Sequence, residues 1–175
     1  MPDFRSELAE RVALHRDFRS AYDILQRDSL GSLVDSRRRL DRESASKLVR
    51  SALIFAQSRK ETFFALAQNI AYCLASLPIT DEERIVCRHV LATVGNFPAG
   101  DFVSTGVADT CKLPWQLEIS ELARRDANTV SVLGERTLLT DFQLNVWEEL
   151  QTRQYVSVSA PTSAGKSFVI QAWKK

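Results

Sequence analysis

Neither sign of charge dominates this sequence: 23 lysines and arginines stand against 22 aspartates and glutamates, for a net charge of +1. The charges are also spread along the chain, so an overall basic field, the usual electrostatic footprint of nucleic-acid binding, is excluded, although a local patch is not. No apolar run approaches the roughly 18 residues that a membrane span requires. The start, Met1-Pro2-Asp3-Phe4-Arg5, has no apolar stretch of signal-peptide length. The expected location is the cytoplasm, with no membrane partner. Cysteine is scarce and odd in number: Cys73, Cys87 and Cys111 share no metal-ligand spacing. Cys73 and Cys87 lie in apolar helical patterns, where cysteine serves as a small hydrophobe rather than in redox or metal chemistry. Only two histidines occur, His15 and His89, with no Ser/His/Asp or Cys/His set, so packing roles are expected for both.

What is present is the composition of a soluble globular chain. Hydrophobic residues make up 45% and charged residues 26% of 175 residues, enough for one domain, or one domain and the start of a second. Apolar residues over 4–28 (Leu8, Val12, Leu14, Phe18, Tyr22, Leu25) predict one long helix or two short ones, interrupted at Leu30-Gly31-Ser32. The charged passage 36–43 reads as linker or helix. Leu48, Ala52 and Phe55 mark the next helix, and Phe63, Leu66, Ala67, Ile70, Leu74 and Leu77 share one face of another. Pro78 stops that helix. Thr80-Asp81-Glu82-Glu83 is a capping-box start for a third, carrying Val86, Val90 and Val94 and closed by Gly95-Asn96-Phe97-Pro98. Short joints favour a plain bundle over a pair of repeat-like hairpins. Residues 99–113 read as loop. Pro114–Arg125 reads as a helix with Trp115, Leu117 or Ile119, and Leu122 as its contacts, and Thr129–Leu133 as strand or extended connector. The composition shifts near residue 130, giving a helical part over 1–130 and a different unit over 131–175.

The second unit carries the chemistry. Tyr155-Val156-Ser157-Val158-Ser159 alternates apolar and polar residues and predicts a strand. The small-residue run Ala160-Pro161-Thr162-Ser163-Ala164-Gly165 follows, and Lys166 to Trp173 reads as helix. Strand, loop and helix in that order are the context in which a phosphate-binding loop is credible. Small side chains let backbone N–H groups wrap a polyphosphate, and Gly165 permits close approach. Lys166 would set its ammonium against the β- and γ-phosphates, Ser167 would give its hydroxyl oxygen to Mg²⁺, and the helix start adds its positive end. The plain competing account is an ordinary small-residue turn with a surface lysine.

Ala160 to Ser167 resembles motif I of superfamily 2 helicases, the DEAD/DEAH-box group, whose usual form A-x-T-x-x-G-K-[ST] opens with alanine. Thr140-Asp141-Phe142-Gln143 places a glutamine 17 positions before Ala160, similar to that family's adenine-reading Q motif. The helix from Asp141 to Leu150, with Leu144, Trp147 and Leu150 inward, is similar to the helix preceding the first RecA strand. The resemblance implies the start of a RecA-like α/β domain over 131–175, preceded by a helical accessory domain over 1–130. It also implies ATP and Mg²⁺ as cofactors, and DNA or RNA as partner. The ATP-contacting residues it implies are Gln143, Ala160, Pro161, Thr162, Ser163, Ala164, Gly165, Lys166 and Ser167. Gln143 has a second explanation, since Thr140-x-x-Gln143 is also a capping box. The sequence departs from the tighter family form: Asp141 and Phe142 precede Gln143 where a proline is usual, and Asp126 stands where an aromatic is customary.

The resemblance covers residues 137–175 alone, without the acidic Mg²⁺ motif or a second RecA domain, so no ATPase or unwinding activity is expected of these residues. Apolar surface is expected to be exposed around Val156, Val158, Val169 and Ile170, with 154–175 frayed, packed back or paired with another molecule. Arg37, Arg38, Arg39, Arg42 and Arg50 form either a phosphate-contacting patch or a solvated face partnered by Asp35, Asp41 and Glu43. Phe63-Phe64 reads as core rather than a base-stacking platform. Other function classes stay open: a docking or regulatory module in 1–130 that binds a protein partner, as in a bacterial defence-type helicase complex, or another phosphate-loop NTPase such as a kinase or AAA-type ATPase.

Overall fold

The computed structural model describes residues 3–31, 40–58, 60–132, 134–159 and 166–173, except the Lys166 side chain. The protein is mainly helical, with one two-stranded sheet among these residues. The 4–28 pattern resolves into two helices, α1 (Phe4–Leu14) and α2 (Arg16–Gly31), separated at His15. α2 ends at Gly31, within the expected break at Leu30-Gly31-Ser32, of which Ser32 lies outside the described residues. Then come α3 (Arg42–Ala56), α4 (Glu61–Ala75) and α5 (Asp81–Thr93).

α3 is the centre of the bundle. It packs against α1, α2, α4 and α5, and α4 also meets α5. Mutual contact of three helices is bundle packing, whereas a stack of hairpins would touch only in sequence order. The reason lies in α3's sequence: Leu48, Ala52 and Phe55 are all fully buried, and small alanines at Ala45, Ala52 and Ala56 admit close neighbours. Phe18 of α2 meets the Phe55 ring edge-on at 5.2 Å, and Phe63 of α4 stacks on it at 5.3 Å. A buried phenylalanine of this kind contributes about 1.5–3 kcal/mol by removal from water, with about 0.5–1.5 kcal/mol more per favourable ring pair. Phe63 and Phe64 are half-buried and pack against this core. Both capping-box bonds of α5 are present, Glu83 N–H to Thr80 Oγ1 at 3.2 Å and Thr80 N–H to Glu83 Oε2 at 2.9 Å. Cys87 is buried, which pushes its thiol up to about 12 and leaves it no thiolate at neutral pH.

Two readings of the region after α5 change. Residues 97–103, expected to belong to a closing turn and a loop, form α6 (Phe97–Val103). Pro98 lies in its first turn, where a fixed φ is already helical, and Phe97 and Val103 are buried. The predicted helix at 114–125 is α7 (Trp115–Ala127), and of its expected contacts Leu117 is half-buried while the other three are turned outward. Trp115, Ile119 and Leu122 are 66%, 57% and 65% exposed, while Glu121 is 6% exposed. The physical cause is polar: Arg88 Nε at 3.4 Å, His89 Nδ1 at 3.6 Å and Arg125 Nε at 3.5 Å surround the Glu121 carboxylate. Arg125 also lies over the Phe97 ring, 5.5 Å from its centre.

β1 (Thr129–Val132) and β2 (Glu135–Leu138) form an antiparallel hairpin with Thr129 opposite Leu138 and Val132 opposite Glu135. Gly134 at φ +85° turns it. α8 (Asp141–Thr152) and α9 (Lys166–Trp173) complete the described elements. Leu139, Val146, Trp147 and Val169 make a second core, flanked by Val130, Val132, Leu144, Leu150, Val158 and Ala172. Trp147 and Trp173 meet edge to face at 5.6 Å.

Candidate nucleotide site

The first of the candidate site residues stands in the first turn of α8. Thr140 is its N-cap, with Oγ1 accepting the Gln143 N–H at 3.2 Å, and the Gln143 Oε1 accepts the Thr140 N–H at 3.0 Å. Two otherwise orphaned backbone donors are satisfied reciprocally. The capping role of Gln143 is thus present in the structure. Its Nε2 makes no hydrogen bond among the described residues, so the side chain's two N–H donors remain for another group.

Residues 155–159 were expected to be a strand. They form no ladder: no backbone hydrogen bond pairs them among the described residues. Valine and serine alternate in burial, Val156 and Val158 half-buried and Tyr155, Ser157 and Ser159 exposed, so the period-2 pattern is kept without a partner. A cleft of about 350 Å³ lies between this segment and the face of α8 that carries Phe142, Val146, Glu149 and Arg153. Gln143 does not line it.

The site residues Ala160, Pro161, Thr162, Ser163, Ala164 and Gly165 lie outside the described residues, as does the Lys166 side chain. Lys166 opens α9, and Ser167 follows as an exposed residue of its first turn. The backbone N–H groups of that turn have no helical acceptor and a positive end of the helix dipole behind them. α9 is held down by Val169, which is fully buried against α8. This corrects the expectation of exposed apolar surface there: Val169 is buried, Val156 and Val158 are half-buried, and Ile170 at 38% is the exposed member. The second core, with Trp147 against Trp173, supplies that apolar cover, and of the alternatives for 154–175 it is packing back that the Val169 contact follows.

One residue that sequence reasoning did not single out organises the start of α8. The Asp141 N–H donates to the Gly95 carbonyl at 3.1 Å. Its Oδ1 accepts from Asn128 Nδ2 at 2.9 Å, and its Oδ2 pairs with Arg124. Asn128, the C-cap of α7, is 5% exposed; its Nδ2 also donates to the Leu139 carbonyl at 3.2 Å, while its own carbonyl accepts the Leu139 N–H at 3.0 Å. No sequence signal could have found this set, because its members come from three separate elements.

The remaining candidates resolve as follows. Arg37, Arg38, Arg39 and Asp35 lie outside the described residues. Arg42 and Arg50 are exposed. Their supposed partners are otherwise engaged: Asp41 caps α3 by accepting the Ser44 N–H at 2.9 Å, which holds its carboxyl below the usual range, and Glu43 pairs with Lys47 at 2.8 Å. Arg50 Nε donates to the Ser46 carbonyl. His15 is exposed, and His89 is buried beside Glu121. Cys73 packs at the edge of the bundle core. No group of three or more potential metal ligands occurs among the described residues, and no described helix is long and apolar enough to cross a membrane. Comparison with protein-family models, with curated proteins and with solved structures found no match to the chain.

Proposed function

We propose that the chain carries the ATP-phosphate-binding loop of an ATP-dependent DNA or RNA helicase, preceded by a helical accessory domain. The observation that supports this reading most is an order of elements around an octapeptide. A segment without ladder partners at 155–159, with valines alternating in sequence, precedes Ala160-Pro161-Thr162-Ser163-Ala164-Gly165-Lys166-Ser167, and a helix begins at Lys166. Small residues followed by lysine and serine at a helix start suit a polyphosphate and its Mg²⁺. In this reading Lys166 neutralises the phosphates, Ser167 holds Mg²⁺ through the nucleotide, and Gln143, capping α8 with its Oε1, presents its Nε2 to adenine. Turnover would need an acidic Mg²⁺-holding strand and a second RecA-like domain, neither of which these residues supply, so binding and not hydrolysis is the property to measure. A fluorescent ATP analogue titrated against the chain with Mg²⁺ is expected to bind, and Lys166→Ala to weaken that binding at least tenfold. Equal affinity in the two proteins removes the basis for the reading.

A second reading, a protein-docking role for the helical part, is favoured by one specific feature. Trp115, Ile119 and Leu122 recur at i, i+4 and i+7 on the outer face of α7 and are all more than half exposed. It is compatible with the first, since an accessory domain can carry a docking face.

A further inference from the structure

The first turn of α8 contains the candidate adenine-reading residue, and the bundle grips that same turn. We propose that Asp141 is a positioning residue through which the helical part sets the orientation of Gln143 and so regulates nucleotide recognition; the proposal rests on the nucleotide-binding reading above.

Four observations converge on Asp141. Its N–H is held by the Gly95 carbonyl, in the turn between α5 and α6. Its two carboxylate oxygens are divided between Asn128 at the end of α7 and Arg124 one turn earlier. Gly95 has φ +75°, and a Cβ there would lie 2.0 Å from Asp141 Cγ, so the carboxylate occupies the space that glycine leaves open. Asp141 and Gln143 share one helical turn with Thr140, and that turn is locked by the capping box. An aspartate that merely complemented the helix dipole would need none of these partners.

The grip continues into the bundle. Arg124 and Glu121 both line a small cavity, about 60 Å³, with His89 and Thr93 of α5. Arg124 Nε, His89 Nδ1 and Glu121 Oε2 are buried there without a hydrogen-bond partner. Glu121, Arg124 and Asn128 all stand on α7, with Arg88 Nε 3.4 Å and His89 Nδ1 3.6 Å from the Glu121 carboxylate. Displacing α7 along α5 therefore moves Arg124 and Asn128 together, and with them the first turn of α8. The connection is physical and continuous, from the bundle's polar interior to the residue two positions before Gln143.

The test measures adenine preference and local stability in the same protein. Fluorescent ATP and GTP analogues are titrated against the full chain, Asp141→Asn, Gly95→Ala and Gln143→Ala. Amide hydrogen exchange is followed at 141–146. Asp141→Asn keeps the shape but forfeits the charge and turns an amide donor toward either Asn128 or Arg124, both donors themselves; Gly95→Ala leaves every charge in place and displaces the carboxylate. Expected are an ATP preference in the wild type, its loss in all three variants with GTP affinity unchanged, and exchange at least about tenfold faster at 141–146 in the Asp141 and Gly95 variants, the lower bound for loss of one charged hydrogen bond. A purely structural role would lower stability and leave the ATP-to-GTP ratio intact. Wild-type ATP preference that survives both Asp141→Asn and Gly95→Ala overturns the positioning role alone. Failure of the wild type to bind either analogue overturns the nucleotide reading, and this proposal with it.

Discussion

Gly95→Ala is the most informative single change to stability, because one methyl group strains a backbone angle and collides with a paired carboxylate. At φ +75° an L-residue costs about 1–2 kcal/mol relative to glycine. The new Cβ would sit 2.0 Å from Asp141 Cγ and 2.3 Å from both of its oxygens, against ordinary carbon contacts of about 3.5–4.0 Å. The carboxylate must therefore withdraw by more than 1 Å, far enough to break the 2.9 Å bond from Asn128. A hydrogen bond to a charged group contributes about 1.5–3 kcal/mol. The Arg124 pair is 40% exposed on each side and adds at most about 1 kcal/mol. The expected loss is about 3–5 kcal/mol. Urea unfolding checks it, followed by far-UV circular dichroism for the bundle and by tryptophan fluorescence for the second core, where Trp147 and Trp173 touch. In an Asp141→Ala background the collision is gone, and Gly95→Ala should then cost about 1–2 kcal/mol, the backbone contribution alone. A loss below about 1 kcal/mol in the parent background, or an equal loss in both backgrounds, refutes the joint between Gly95 and Asp141.

Two further outcomes follow from α7. Burial raises the Glu121 carboxyl's affinity for its proton, but His89, Arg88 and Arg125 outweigh it and hold the group below its ordinary range. A depressed folded value means stability fully present above the unfolded carboxylate range and lost as pH falls through the folded one. Glu121→Gln, which leaves buried cations without a counter-charge, is expected to lose about 3 kcal/mol near neutral pH, and the gap to wild type in urea midpoints should close on acidification below about pH 4; a gap constant with pH contradicts the assignment. Trp115→Ala, although it removes the largest side chain of α7, is expected to change stability by less than about 0.5 kcal/mol, because the ring is 66% exposed; a loss of about 3 kcal/mol, as for a core tryptophan, would show that α7 packs by its apolar stripe after all.

The sequence by itself determined the local features. Both capping boxes, at Thr80 and Thr140, were legible because four adjacent residues carry the whole interaction. The cores of α3, α4 and α5 were legible because Leu48, Phe55, Ile70, Leu74 and Val90 repeat at helical period against a polar background. The Ala160–Ser167 octapeptide is likewise a local pattern, and the nucleotide reading proposed for it rests on that pattern. Only tertiary structure decided the rest. The α7 face was misread because an apolar stripe normally goes inward; here Glu121 is turned inside by cations from α5 and from its own next turn, and no local pattern announces that charge pairing. Val169 was expected to be exposed because the strand before it was expected to lack its sheet neighbours; its cover comes instead from Trp147 and Leu139, which no local pattern joins to it. Asp141 read as a mere departure from a motif, and became a joint once folding brought Gly95, Arg124 and Asn128 to its two oxygens and its N–H. Periodicity and capping act over a few residues and are written in order along the chain, whereas the partners of a buried charge are chosen by the packing of whole helices.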